Sequence, residues 1–242
     1  MAGTPAERSA FAWSFLYFFC LIAGYYVLRA LREEMGVRFG VDRIQWLFTA
    51  TFVSMLVLVP VYGALVSRFA RRRLVPIVYG VFALCLVAFH LLLDNPAYGA
   101  KLAPVFFVWL SVYNLFVVSM FWSFMADVWQ ADQAKRFYAP IAAAGSIGGI
   151  VGPFLTQLLV DDIGIANLFL ISAGLLMLCL VSVSQLLPQL RVNAQARGER
   201  NAEEAIGGSW WAGARLVFSR RLLLAIAGVM MLGVIVGTLL YV

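Results

Sequence analysis

Charge is the first thing this sequence lacks. Only 12% of its 242 residues are charged and 63% are hydrophobic, where a soluble domain carries roughly 25% charged residues. That scarcity excludes a water-soluble globule, because too little polar surface remains to cover a core. Histidine is reduced to His90 alone. Cysteine is scarce too: Cys20, Cys85 and Cys179 each sit inside an apolar run, at no metal-ligand or redox spacing. No acid–base pair, nucleophile triad or zinc spacing is present, so the sequence points to no enzyme, no cofactor and no bound metal. The formal charge of +6 does not mark a nucleic-acid partner, since the basic residues lie between apolar runs and form no face interleaved with aromatics. No small-residue cleavage site follows the first apolar run, which therefore reads as a spanning helix rather than a signal peptide.

What is present is a series of apolar runs. Seven approach the roughly 20 residues needed to cross a bilayer, so the fold class is all-α, a polytopic protein whose partner is membrane lipid. The runs place helices at about 9–31, 44–66, 74–93, 103–128, 138–160, 165–187 and 222–242. Pro60 is placed to bend the second. Asp161, Asp162 and Gly164 form a tight turn between the fifth and sixth. Residues 1–188 are thus a six-helix bundle. Residues 189–221 are polar, with Trp210, Trp211, Leu216, Val217 and Phe218 alternating with Arg215, Arg220 and Arg221. That pattern suits a linker with an amphipathic helix lying in the membrane interface. Residues 222–242 are the first helix of a second bundle.

Orientation follows from the basic residues. With the N-terminus cytoplasmic, thirteen lysines and arginines fall on inner segments and five on outer ones, while the acids divide evenly. Basic residues orient helices through short cytoplasmic loops. The densest such loop is Gly63 to Arg73, GALVSRFARRR, with Arg68, Arg71, Arg72 and Arg73 between two spans.

Within the spans, polar and aromatic residues recur at helical spacing. On helix 1, Ser14, Tyr17, Leu21, Tyr25, Leu28 and Arg32 share one face, and Arg29 lies roughly 60° from it. A cation inside a span is expensive and usually faces a bundle interior or a water cavity, where Arg29 and Arg32 can hold an anion. The alternative is that both snorkel to the outer interface and pair with Glu33 and Glu34. On helix 4, Ser111, Asn114, Val118 and Trp122 share a face fit to line a cavity, or to supply interhelical hydrogen bonds. Tyr17, Tyr25, Arg29, Arg32, Asn114 and Trp122 are therefore the candidate solute-binding residues. Helix 5 carries Gly145, Gly148, Gly149 and Gly152 on one narrow face. Small residues let backbones approach, so this face either packs tightly on a neighbour or slides. His90, near the outer end of helix 3, is expected to face lipid headgroups.

The turn at Gly63, Leu65, Arg68 and Arg71 to Arg73 resembles the motif G-x-L-x-D-R-x-G-R-[RK] between helices 2 and 3 of the major facilitator superfamily. Ser67 replaces the acid and Ala70 the second glycine. Further stretches are similar to the bacterial ATP/ADP translocase-like (NTP/NDP exchanger-like) branch of that family: YYVLRALREEMGV at 25–37, WLFTATF at 46–52, RRRLVP at 71–76, FWSFMADV at 121–128 and AKRFYAPIAAAGSIGGIVGP at 134–153. The resemblance implies a secondary carrier of a small anionic organic solute, a nucleotide among the candidates, in a bacterial inner membrane. Such carriers work by alternating access between two six-helix halves. A second half is therefore expected in the full-length chain, and this sequence is expected to be a fragment or a truncated product. The resemblance also implies gating roles for Gly63, Arg68, Arg71, Arg72 and Arg73, with Asp127, Lys135 and Arg136 at the same inner end and Gly145 and Gly149 on the smooth face. Ser67 and the lack of an arginine in helix 4 give no ground for proton coupling. The rival expectation is a non-transporting sensor or assembly protein that docks partners on residues 189–221.

Overall fold

The computed structural model describes residues 4–39, 44–93, 99–196 and 217–241. Its regular elements are α1 (Pro5–Phe39), α2 (Ile44–Arg68), α3 (Arg71–Leu93), α4 (Gly99–Val128), a helical stretch Ala131–Ala196, and α7 (Arg221–Tyr241). The long stretch has 66 residues, about 99 Å if straight, three times the roughly 30 Å of a bilayer core. It is not straight. Gly164 (φ 78°, ψ 162°) breaks it into α5 (131–163) and α6 (165–196). That backbone conformation is essentially open to glycine alone, so the expected outer turn is compressed into one residue.

The helices are longer than the apolar runs. α1 begins at Pro5, where the Thr4 hydroxyl accepts from the Glu7 amide at 3.2 Å and the Glu7 carboxylate accepts from the Thr4 amide at 3.0 Å. This reciprocal cap satisfies two of the donors a helix start leaves free. α1 then continues through Arg32, Glu33 and Glu34, because good helix formers need no apolar setting to stay helical. Of the arginines expected in the α2–α3 turn, Arg68 ends α2 and Arg71, Arg72 and Arg73 open α3, so the turn itself shrinks to Phe69 and Ala70. Likewise Asp132, Lys135 and Arg136 belong to α5, and residues 189–196 belong to α6. Of the expected amphipathic linker helix, residues 197–216 lie outside the described residues. Among the described residues five helices, the two-armed one among them, are long and apolar enough to cross a membrane.

Cross-helix contacts set the directions. Tyr17 of α1 meets Tyr79 of α3 and Phe121 of α4, whereas Arg32 reaches Phe107 near the start of α4. α4 therefore runs antiparallel to α1. α2 runs with α4, since Phe48 meets Phe107 and Tyr62 meets Phe116. α5 runs with α1, and α6 returns against it, with Ser172 bonded to the Gly24 carbonyl and Cys179 to that of Tyr17. The result is an up-and-down six-helix bundle around α1. Among the described residues α7 packs on none of the other helices.

In lipid, helix association rests on close packing and interhelical hydrogen bonds rather than on water exclusion. Both are seen at the centre. α5 lies so close to α1 that a β-carbon at Gly148 would stand 2.7 Å from the Phe19 carbonyl oxygen, and one at Gly152 only 2.6 Å from that of Ala23. Tyr17 donates to the Tyr79 hydroxyl at 2.7 Å, and Tyr79 donates to the Val117 carbonyl at 3.0 Å, joining α1, α3 and α4 in fully buried surroundings. Within the six-helix bundle α2 is the least buried helix, with Trp46, Phe52, Leu56 and Val57 all exposed.

Candidate functional site

The candidate site is the groove between α1 and α4, along which Arg29, Arg32, Asn114 and Trp122 are each partly exposed. Asn114 sits at mid-span on α4, half-buried, and its carboxamide makes no hydrogen bond among the described residues. Leaving an amide unpaired in hydrocarbon costs several kcal/mol, about 4–8 on a cyclohexane scale. A groove that holds water or a polar solute removes that penalty. Ser111, one turn outward, turns back to the Phe107 carbonyl at 3.4 Å and is spent on its own helix.

Arg29 lies on the facing stretch of α1, half-buried, with its guanidinium 5.4 Å from the Tyr26 ring. Among the described residues it makes no ion pair. Arg32 behaves differently. It pairs with Glu33 at 2.7 Å and lies over the Phe107 ring at 4.7 Å, while its Nε is buried without a partner. The two arginines thus divide. Arg32 is largely neutralised on its own helix, and Arg29 has no ion pair among the described residues. Tyr25, also half-buried, lies in the field of both guanidiniums.

Deeper in, Trp122 closes the groove with aromatic walls. Its ring stands edge-on to Phe18 at 5.3 Å and to Tyr138 of α5 at 5.5 Å. Phe18 stacks in turn on Phe121 at 4.3 Å.

Tyr17 sits elsewhere than its spacing suggests. It is fully buried, together with Ser14, Leu21 and Leu28, and its hydroxyl is committed to Tyr79. The groove face of α1 is Phe18, Ile22, Tyr25, Arg29 and Arg32, rotated roughly 70° from the expected stripe at 3.6 residues per turn. The glycine face of α5 is a packing surface in this structure. α1 fills it, with the Phe18 ring against Gly145 and the Tyr26 ring in van der Waals contact with Gly149 at 3.5 Å from where a β-carbon would stand. His90 does not point to headgroups either; its Nδ1 donates to the Ala166 carbonyl of α6 at 3.0 Å.

At the inner end, Arg68 and Arg73 are exposed, Gly63, Arg72 and Asp127 are half-buried, and the Arg71 side chain lies outside the described residues. Lys135 and Asp132 form a highly exposed pair at 3.6 Å, worth little in water. Arg136 lies over the Phe137 ring at 4.8 Å. The structure does not bring these charges to the groove; they lie at the end of the bundle where α2 meets α3 and α4 meets α5.

A polar clamp that sequence spacing does not reveal holds the same end. Gln133 of α5 donates to Glu7 of α1 at 2.8 Å and accepts from Asn193 of α6 at 2.9 Å, while Asn193 also donates to the Val128 carbonyl of α4 at 2.7 Å. Beside it the Trp129 indole donates to Ser14 at 3.3 Å. Four helices are thereby tied into one rim. The residues are 60 and 126 positions apart, so no local pattern announces them. The one signal is a polar Asn193 recurring on the face of Leu186 and Leu190, beyond the last apolar run.

The bundle, with a polar groove on one side and a basic rim at one end, was compared with known proteins. The family model described as Major Facilitator Superfamily matches residues 12–242. No curated protein and no solved structure matches the chain.

Proposed function

This chain belongs to the major facilitator superfamily and is a multi-pass membrane transporter; from that premise we propose that it carries a small anionic organic solute along the α1–α4 groove by alternating access. The observation that carries this reading is Arg29. It is a half-buried cation in a spanning helix, without an ion pair among the described residues, and Asn114 on α4 is likewise without a hydrogen bond among them. A charge kept in that setting has a functional use by default, and an anion on Arg29 gains charge-assisted hydrogen bonds. Asn114 adds a donor on the opposite wall.

A nucleotide is one candidate anion, through the resemblance of residues 25–37 and 121–153 to ATP/ADP translocase-like carriers. Arg32 plays a secondary part, since Glu33 already compensates it. The proposal includes a cytoplasmic N-terminus, a bacterial inner membrane, and a second six-helix half supplying the opposite wall of the path. The basic inner rim at Arg68, Arg72 and Arg73, with Asp127, Lys135 and Arg136, supplies the inner latch.

Cysteine accessibility tests the groove. In a background without Cys20, Cys85 and Cys179, Asn114→Cys should react with a membrane-impermeant thiol reagent and be protected by a transported anion. Val117→Cys, three residues on and fully buried, should stay unreactive. Equal reactivity at both positions, or none at Asn114→Cys, refutes a water-filled path on this face of α4.

A further inference from the structure

The groove is not uniform along its length, and its grading carries information about the solute. Going inward from Arg29, the groove passes Asn114 and ends at Trp122. Eleven residues of α1 separate Arg29 from Phe18, which marks the level of Trp122; that is about 16 Å along the axis. Eight residues of α4 separate Trp122 from Asn114, about 12 Å. Asn114 therefore lies one short step inward of Arg29, and the two form a single polar layer. The aromatic layer is separate. Trp122 is half-buried, held edge-on by Phe18 and Tyr138 at 5.3 and 5.5 Å, and leaves part of its indole surface uncovered. Between the layers the α4 wall is Val118, without polar atoms in its side chain.

We infer that the solute is two-ended: an anionic group held outward at Arg29 and Asn114, and a flat unsaturated ring lying inward against Trp122. This rests on the reading of the groove as a path for anions. It adds an orientation and a second chemical requirement. A small inorganic anion or a short aliphatic acid satisfies only the outer layer. A neutral aromatic satisfies only the inner one. The gap between the layers, less the reach of an arginine side chain, is on the order of 10 Å, which suits a ring joined to its acid by a short linker.

The probes are 4-phenylbutanoate and 4-cyclohexylbutanoate, which share charge and linker and differ in the flatness and π-face of the ring. Binding of each is measured by equilibrium dialysis to the chain in lipid nanodiscs. The phenyl acid should bind roughly three- to tenfold tighter, the range an aromatic contact supplies. Trp122→Leu should erase that preference, whereas Trp122→Phe should keep it and so separates loss of the ring from loss of folding. Arg29→Gln should weaken both acids by roughly tenfold or more. If the two acids bind equally, or Trp122→Leu keeps the preference, the ring end is overturned while an Arg29-dependent affinity leaves the anionic reading standing. If Arg29→Gln changes neither acid, or neither binds, the anionic reading fails and this inference with it.

Discussion

Gly152→Ala tests the close approach of the α5 backbone to that of α1. A β-carbon there would stand 2.6 Å from the Ala23 carbonyl oxygen and 2.8 Å from the Tyr26 β-carbon. Carbon–oxygen contacts settle at about 3.3–3.6 Å, so α1 and α5 would have to part by about 0.7 Å or more. The obstacle is backbone on a helix that contacts four neighbours, and it cannot swing aside as a side chain would. Overpacking of this kind costs about 1–3 kcal/mol. Alanine also favours the helix over glycine by about 0.8–1.0 kcal/mol, which partly hides the clash in a single variant. Gly174 on α6 supplies the control, since a β-carbon there meets nothing within 4 Å. Gly174→Ala should show the helix preference alone. The difference between the two variants, read from reversible unfolding in mixed micelles by circular dichroism, should then be about 1–3 kcal/mol. Equal stabilities would refute the close approach of α1 and α5, and with it the burial of the glycine face.

Other changes probe the joint and the clamp. Gly164→Ala should destabilise by about 1–3 kcal/mol through backbone strain alone, since the surrounding space is open; the same titration reads it, and no loss would mean that the α5–α6 joint relaxes into another turn. Asn193→Leu removes the bonds to Val128 and Gln133, costing about 1 kcal/mol in a membrane setting. It should loosen the last turns of α6 selectively, raising amide exchange at 187–196 and leaving 168–180 protected; uniform exchange along α6 would argue against a clamp.

The helices were legible because each span is an unbroken apolar run. Their ends were not, because charged residues such as Glu33, Glu34 and Arg191 continue a helix as readily as they end a span. The phase of α1 was legible only as a period. Tyr17 and Phe18 are adjacent aromatics, and in a chain this apolar a helix carries little amphipathic signal to say which of them faces the core. Tyr17 went inward because Tyr79, itself donating to the Val117 carbonyl, offers its hydroxyl a buried partner, and the partly exposed face was left to residues such as Tyr25 and Arg29. Asn114 and Trp122 stood out in the sequence because α4 carries few polar positions. The small face of Gly148 and Gly152 was readable as a packing surface; that α1 is what fills it is a fact of tertiary structure. The clamp at Glu7, Gln133 and Asn193 depends on three helix ends meeting, and nothing within any one helix encodes that.

The most direct test of the account is uptake of labelled organic anions, nucleotides among them, into proteoliposomes by wild-type protein and by Arg29→Ala. The account predicts saturable anion uptake that Arg29→Ala abolishes, with the variant recovered in the membrane at wild-type level and with an unchanged unfolding transition. Unchanged uptake by folded Arg29→Ala protein would contradict it, because the cation assigned to the solute would then do nothing for it.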